Sequence, residues 1–212
     1  MTPIRVAVAD HHPVVRKGLE VVMGDRPDLA IVGTAVDRQS AIDLCRKESP
    51  EVLLTGISLP GPSIFEMLQV LRREKSPTQV LVFSGRSEED YALSCMDAGA
   101  AGFVSKEQSP EEILDAVTKV AAGQRVVSAA VSAQLAARVL GGSEDPVAHQ
   151  RLSTREFEVF LLLGSGNSVG VIARRLGISP KTVSTHRANI CEKTGLATNA
   201  EIIRYVVARE LA

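Results

Sequence analysis

The feature that most constrains this chain is an alternation. Between residues 4 and 122, short runs rich in β-branched residues are separated, each time, by a stretch of helical patterning. A helix between successive strands makes parallel pairing through crossovers the natural solution, giving a sheet wrapped by helices on both faces. The strands expected are Ile4–Ala9, Leu29–Ala35, Val52–Thr55, Val80–Ser84 and Gly102–Ser105, all largely apolar, as strands covered on both faces must be. Between and after them, helices are expected over Val14–Met23, Arg38–Lys47, Ser63–Arg73, Glu88–Asp97 and Pro110–Ala122, several opening on Ser, Pro or acidic residues suited to a helix N-terminus. The expected fold is α/β, a doubly wound five-stranded parallel sheet of the flavodoxin-like kind.

After residue 122 the pattern changes. Residues 125–140 read as one further helix, and Gly141-Gly142-Ser143-Glu144-Asp145-Pro146 then breaks any regular element. From Leu152 onward the patterning is helical throughout, in four segments: Thr154–Leu163, Val169–Leu176, Pro180–Thr194 and Asn199–Glu210. The organisation expected is a sheet domain over 1–122, a helix and linker over 123–150, and an all-α four-helix domain over 151–212. A length of 212 residues accommodates two domains, since compact domains commonly run to roughly 100–150 residues.

Composition narrows the partners. Hydrophobic residues make up 45% of the chain and charged residues 23%, the balance of a globular protein. No apolar run suits a signal peptide or a membrane span, so a cytoplasmic location without membrane attachment is expected. Cys45, Cys95 and Cys191 form no CxxC pair and lie in helical contexts, which favours buried thiols over disulfides or zinc. The net charge of −1 conceals an asymmetry: residues 1–150 hold 15 Lys+Arg against 20 Asp+Glu, residues 151–212 hold 9 against 5. An acidic first part and a basic second part fit a regulatory domain joined to one that meets nucleic acid.

Within the basic part, IARRLGISPKTVSTHRANICEKTG has the layout of a helix-turn-helix: a helix, a turn containing Gly177, and a second helix opened by Ser179 and Pro180. At 100° per residue, Val183 and Ile190 share one face, flanked by His186 and Arg187, and that face points to the core. The opposite face carries Lys181, Ser184, Thr185, Ala188 and Glu192, small or polar side chains that allow close approach to base edges in a major groove. Lys181, Thr182, Arg187, Asn189 and Lys193 are candidates for phosphates, which fix register without reading sequence. A plain helical hairpin with a solvated charged face is the competing reading of the same pattern.

From Leu152 to Leu211 the sequence resembles the DNA-binding domain of the LuxR/NarL/FixJ family, with LSTREFEVF at its opening helix and GISPKTVSTHRANICEKTGL at its turn and recognition helix. The resemblance implies a double-stranded promoter DNA partner and a homodimer on a pseudo-palindromic site, often paired through the last helix. Another regulator or RNA polymerase is a further possible partner. Glu192 departs from the basic residue expected there, and Gly164-Ser165-Gly166-Asn167 reads as an unusually flexible connection.

In open sheets of the expected kind, sites form at the carboxyl ends of the strands, which here means Asp10, His11, Gly56, Ser84 and Lys106. The motifs ADHHPVVRKGL, VLLTGISLPG, VLVFSG and GAAGFVSK make residues 4–122 resemble a response-regulator receiver domain. Such a domain phosphorylates an aspartate after its third strand with Mg²⁺ held by an acidic pair after the first. The resemblance places Gly56 at the acceptor position and Asp10-His11 at the acidic pair, while Ser84, Lys106 and the aromatic switch position, Phe103, are retained. The pocket is therefore expected to be a degenerate one, with no catalytic residues, no cofactor and no bound metal.

With two carboxylates missing, Lys106 is expected to pair with Asp10. Asp10, Thr55 and Ser58 remain as unconventional acceptors, and a protein-interaction adaptor without DNA binding remains as a reading of another class. His11-His12 invites a metal or pH-sensing reading; against it, His12-Pro13 matches a dipeptide common in the family, and neighbouring side chains are expected to diverge. The absence of a nucleophile–base pair or glycine-rich phosphate loop at the strand ends argues against an enzyme.

Overall fold

The computed structural model describes residues 2–140 and 147–211, so the expected breaker Gly141–Pro146 lies outside the described residues. The chain divides into two compact units, residues 1–134 and 135–212.

The first unit is built on strands β1 (Ile4–Ala9), β2 (Leu29–Ala35), β3 (Val52–Thr55), β4 (Gln79–Ser84) and β5 (Gly102–Ser105). All pair in parallel, in the order β2-β1-β3-β4-β5. Helices α1 (Pro13–Gly24), α2 (Arg38–Glu48), α3 (Ile64–Arg73), α4 (Glu88–Ala98) and α5 (Pro110–Ala121) follow the strands in turn. Strand alternation divides the apolar side chains between the faces: Val6, Val8, Val52, Leu54, Leu81 and Phe83 share one core with Leu19 and Met23 of α1 and Leu114 and Val117 of α5. Each such side chain, fully buried, stabilises the fold by roughly 1.5–3 kcal/mol.

Because chain order reverses about β1, the crevice of the sheet opens between the carboxyl ends of β1 and β3. Ala9 pairs with Thr55, so the next residues, Asp10 and Gly56, emerge side by side.

The sequence pattern places most elements within a residue or two, with one displacement. The helix expected over 125–140 begins only at Ala129, as α6 (Ala129–Leu140). Val126 instead pairs in parallel with Gly102, accepting from Phe103 N at 2.8 Å and donating to Ala101 O at 3.2 Å. The close approach needs glycine, since a Cβ on residue 102 would stand 2.5 Å from Val126 O. A short stretch of extended backbone thus covers the edge of β5 before the helix starts.

The second unit contains a 3₁₀ turn at Ala148–Arg151, which the pattern does not announce, and helices α7 (Thr154–Gly164), α8 (Val169–Leu176), α9 (Pro180–Thr194) and α10 (Asn199–Ala208). Ser153, Ser168, Ser179 and Thr198 cap the four helices, each accepting a backbone N–H one turn on. Helices α7 and α10 approach closely at Gly164, where an added Cβ would meet Val206 at 2.4 Å. Phe157, Phe160, Tyr205 and His149 build an aromatic cluster there, with ring centroids 5.6–6.4 Å apart and His149 Nδ1 3.0 Å from the Tyr205 hydroxyl.

The run Gly164–Asn167 is a capped turn and not a flexible connection. Gly166 takes φ +78°, Ser165 and Asn167 donate from backbone and side chain to Leu161 O and Leu162 O respectively, and Gly166 N donates to Leu163 O.

Candidate strand-end cleft and nucleic-acid interface

At the crevice between β1 and β3 the central group is the Asp10 carboxylate, 1% exposed. Lys106, just beyond β5, brings its Nζ to 2.5 Å from Asp10 Oδ2. The ion pair expected between Lys106 and Asp10 is therefore present. The lysine also lies 5.2 Å over the Phe83 ring, a cation–π placement that steadies its stem. Asp10 Oδ1 accepts from the backbone N–H of His12 at 2.8 Å and lies 3.0 Å from His12 Nδ1. Arg16 of α1 donates to the Asp10 carbonyl at 2.6 Å, a contact sequence reasoning missed although its position one turn into the helix could have signalled it.

Burial alone would push the Asp10 carboxyl up; the Lys106 ammonium and the His12 N–H outweigh it and hold the group below the usual carboxylate range. Asp10 is thus a carboxylate at neutral pH, neutralised by its lysine.

Gly56 closes the other side. Its N–H donates to Ala9 O at 2.8 Å, and a Cβ built on it would lie 3.0 Å from Asp10 Oδ2. Ser84 is buried, its Oγ accepting from Arg86 N at 2.9 Å, and its carbonyl accepts from Lys106 N at 2.9 Å. Phe103 is buried within β5, and Thr55 is fully buried. Divergence of the histidine pair is overturned: the His11 and His12 rings lie with centroids 3.6 Å apart, and donor atoms of Asp10, His11 and His12 all fall within 4.8 Å of one another.

The receiver resemblance implies Mg²⁺, and the donor set does not fit it. Magnesium wants several hard oxygens in near-octahedral array; here one carboxylate, already on an ammonium, stands between two imidazoles and a glycine.

In the second unit, Ser179 caps α9, its Oγ accepting from Thr182 N at 3.0 Å, and Pro180 occupies the first turn. Gly177 ends α8 at φ +62°, the left-handed conformation that lets the chain turn sharply into α9. Val183 and Ile190 are fully buried, so the opposite face must look outward: Lys181, Thr182, Ser184, Thr185, Ala188 and Glu192 are exposed, and Arg187 and Asn189 half-buried. The Ser184 and Thr185 hydroxyls donate to carbonyls one turn back, at 3.0 and 3.1 Å. Arg187 Nε donates to Asn199 Oδ1 at 2.7 Å, tying α9 to the start of α10.

Lys193 has a partner within the domain. Its ammonium lies 2.6 Å from Oε2 of the buried Glu156 at the start of α7. Burial raises the Glu156 carboxyl, but Lys193 and the Ser153 cap outweigh it, taking it down to about 2. A second pair, Arg155 to the buried Glu158, accompanies a bond from Arg155 to Leu176 O at 2.8 Å that closes α7 on the end of α8. No helix among the described residues is long and apolar enough to cross a membrane.

Comparison with known proteins agrees with this architecture. Residues 6–118 match the response regulator receiver domain, and residues 150–206 match the bacterial regulatory proteins of the luxR family. The response regulator GacA of Pseudomonas aeruginosa is 32% identical over 94% of this chain and 93% of its own length. The transcriptional regulatory protein MctR of Rhizobium johnstonii is 35% identical over 96% of this chain and 93% of its own. RcsB from Salmonella enterica serovar Typhimurium bound to the rprA promoter has the same fold, with a TM-score of 0.78 over 97% of this chain and 99% of that one at 24% identity. LuxR-family response regulators are DNA-binding transcriptional regulators, a non-enzymatic family. With a receiver match over more than half its length and full-length relatives above 30% identity, this chain belongs to the NarL/FixJ-type LuxR response regulators.

Proposed function

We propose that this chain is a sequence-specific DNA-binding transcriptional regulator that works without phosphorylation, its receiver-like domain (1–122) joined through residues 123–150 to a DNA-binding domain (151–212). One observation carries the phosphorylation-independent part: Gly56 offers no side chain at the mouth of β3, and the space a side chain would need ends 3.0 Å from Asp10 Oδ2. The only carboxylate in the crevice among the described residues is neutralised by Lys106. Phosphorylation would add about −1.5 to −2 charges at this place to bias the domain; with Asp10 and Lys106 paired, the domain rests in one state.

On the DNA side, Lys181, Ser184, Thr185 and Ala188 face outward and are the base-edge set. Thr182, Arg187 and Asn189 flank them toward the phosphates. Lys193 contributes less to DNA than its charge promises, because that charge already balances Glu156. The regulator binds as a homodimer on a pseudo-palindromic promoter site.

The test joins both halves. Bound sites recovered by genome-wide mapping serve as probes, and the protein is incubated with a small-molecule phosphodonor and Mg²⁺, then examined by intact mass and DNA retardation. The expected outcome is no added phosphate and unchanged affinity. A stoichiometric mass gain with tighter DNA binding overturns the reading.

A further inference from the structure

The disagreement between the crevice and Mg²⁺ has a positive side, because the residues that spoil it for magnesium suit another class of ion. We propose that Asp10, His11 and His12 form a binding site for a divalent first-row transition metal of the zinc type, held by Asp10 Oδ1, His11 Nδ1 and His12 Nδ1 with water completing the coordination.

Imidazole nitrogen is a good ligand for zinc, nickel and copper and a poor one for magnesium. Two imidazoles and one carboxylate around an open position is a ligand set zinc accepts. Ligands 2.0–2.1 Å from a tetrahedral ion stand about 3.3 Å from one another. Asp10 Oδ1 lies 3.0 Å from His12 Nδ1 and 4.0 Å from His11 Nδ1, separations that bracket that edge. The two rings lie against each other with centroids 3.6 Å apart and their ligand atoms within 4.8 Å of those of Asp10, so binding requires His11 to turn away from His12 until both nitrogens face the ion.

Three further features prepare the site. His12 precedes Pro13, which confines it to extended backbone, and it is found there at φ −83°, ψ 117°. Its N–H holds Asp10 Oδ1 at 2.8 Å, fixing the carboxylate relative to the ring that follows. Lys106 occupies Oδ2 and leaves Oδ1 turned toward the imidazoles, as a hydrogen-bonding partner behind a metal-bound carboxylate does. The cationic neighbours are Lys106 and Arg16; because Asp10 already balances Lys106, the neutral imidazoles rather than net negative charge must carry the affinity, which is what separates this ligand set from a magnesium site. Access is open, since the imidazoles are 38% and 57% exposed while the carboxylate is 2% exposed.

The experiment titrates the untagged full-length protein with Zn²⁺ by calorimetry and with Co²⁺ by visible absorption, at fixed ionic strength and with Mg²⁺ in excess. One ion per chain is expected, with a four-coordinate Co²⁺ spectrum lacking thiolate charge transfer. Affinity should fall at least about tenfold in His11→Ala and in His12→Asn, and hold in His186→Ala and Cys191→Ser, which alter donors outside the crevice. Circular dichroism of each variant separates lost binding from lost folding, and a variant that misfolds is replaced by His11→Gln or His12→Gln. Absence of saturable binding, retention of affinity in both histidine variants, or displacement by equimolar Mg²⁺ each overturns the assignment. None of these outcomes bears on DNA binding, so the proposed function stands or falls separately.

Discussion

Asp10 meets Lys106 with one carboxylate oxygen and the His12 N–H with the other, and the absence of a side chain at position 56 keeps that arrangement uncrowded. Gly56→Asp places a second carboxylate against Oδ2. Like charges then force one of the pair to hold its proton more tightly in the folded than in the unfolded chain. A carboxyl raised in this way destabilises above its folded pKa and ceases to do so below the unfolded one. The variant is therefore expected to lose about 1–2 kcal/mol of stability near neutral pH, with the deficit shrinking as pH falls through the carboxylate range. Urea unfolding of both proteins at neutral and mildly acidic pH checks this, and an equal deficit at both points to crowding alone. Sequence made Asp10, Gly56 and Lys106 legible because strand ends converge in any sheet of this order. It hid the meeting of His11 and His12, which depends on two rotamers and on the turn that Asp10 and Pro13 impose between them.

At the scale of elements, caps and periods carried nearly all the information. Ser153 followed by Glu156, or Thr198 followed by Glu201, announces a helix start in four residues, and the structure shows both reciprocal pairs. What failed to announce itself was long-range: Val126 is drawn out of helix by the edge of β5, and Glu156, inside α7, finds its ion-pair partner in Lys193, 37 residues away. That ion pair has a pH signature. The Glu156 carboxyl sits at about 2 against an ordinary 4.5, so its contribution is complete above about 4.5 and disappears as pH falls to about 2. The stability difference between the parent and Glu156→Gln should close over that window, from on the order of 2 kcal/mol once the exposure of Lys193 is discounted.

A second test belongs to α7 and α10. Gly164→Ala drives a methyl into Val206 and should cost about 1–3 kcal/mol by thermal unfolding. Val206→Ala in the same chain should recover part of it, the coupling expected of residues in contact; strict additivity would show that the helices part freely.

For the whole molecule, charge is distributed by task. Residues 1–150 carry the excess of acids and residues 151–212 the excess of bases, with the Lys193 and Arg155 charges matched inside the helical unit by buried glutamates. The cations left to meet a polyanion are consequently fewer than the composition implies. Neutralising phosphates releases counterions, each contact adding about 0.9 to the slope of log affinity against log salt. Lys181→Ala removes an exposed cation at the first turn of α9 and should lower that slope by about 0.9, whereas Lys193→Ala should act mainly on folding, because it strands Glu156. Retardation of a mapped site across a salt series, beside urea unfolding of the same two variants, separates the roles. If Lys193→Ala lowers the salt slope as much as Lys181→Ala and leaves stability intact, its ammonium belongs to the DNA, and the division of charge argued for this domain is wrong.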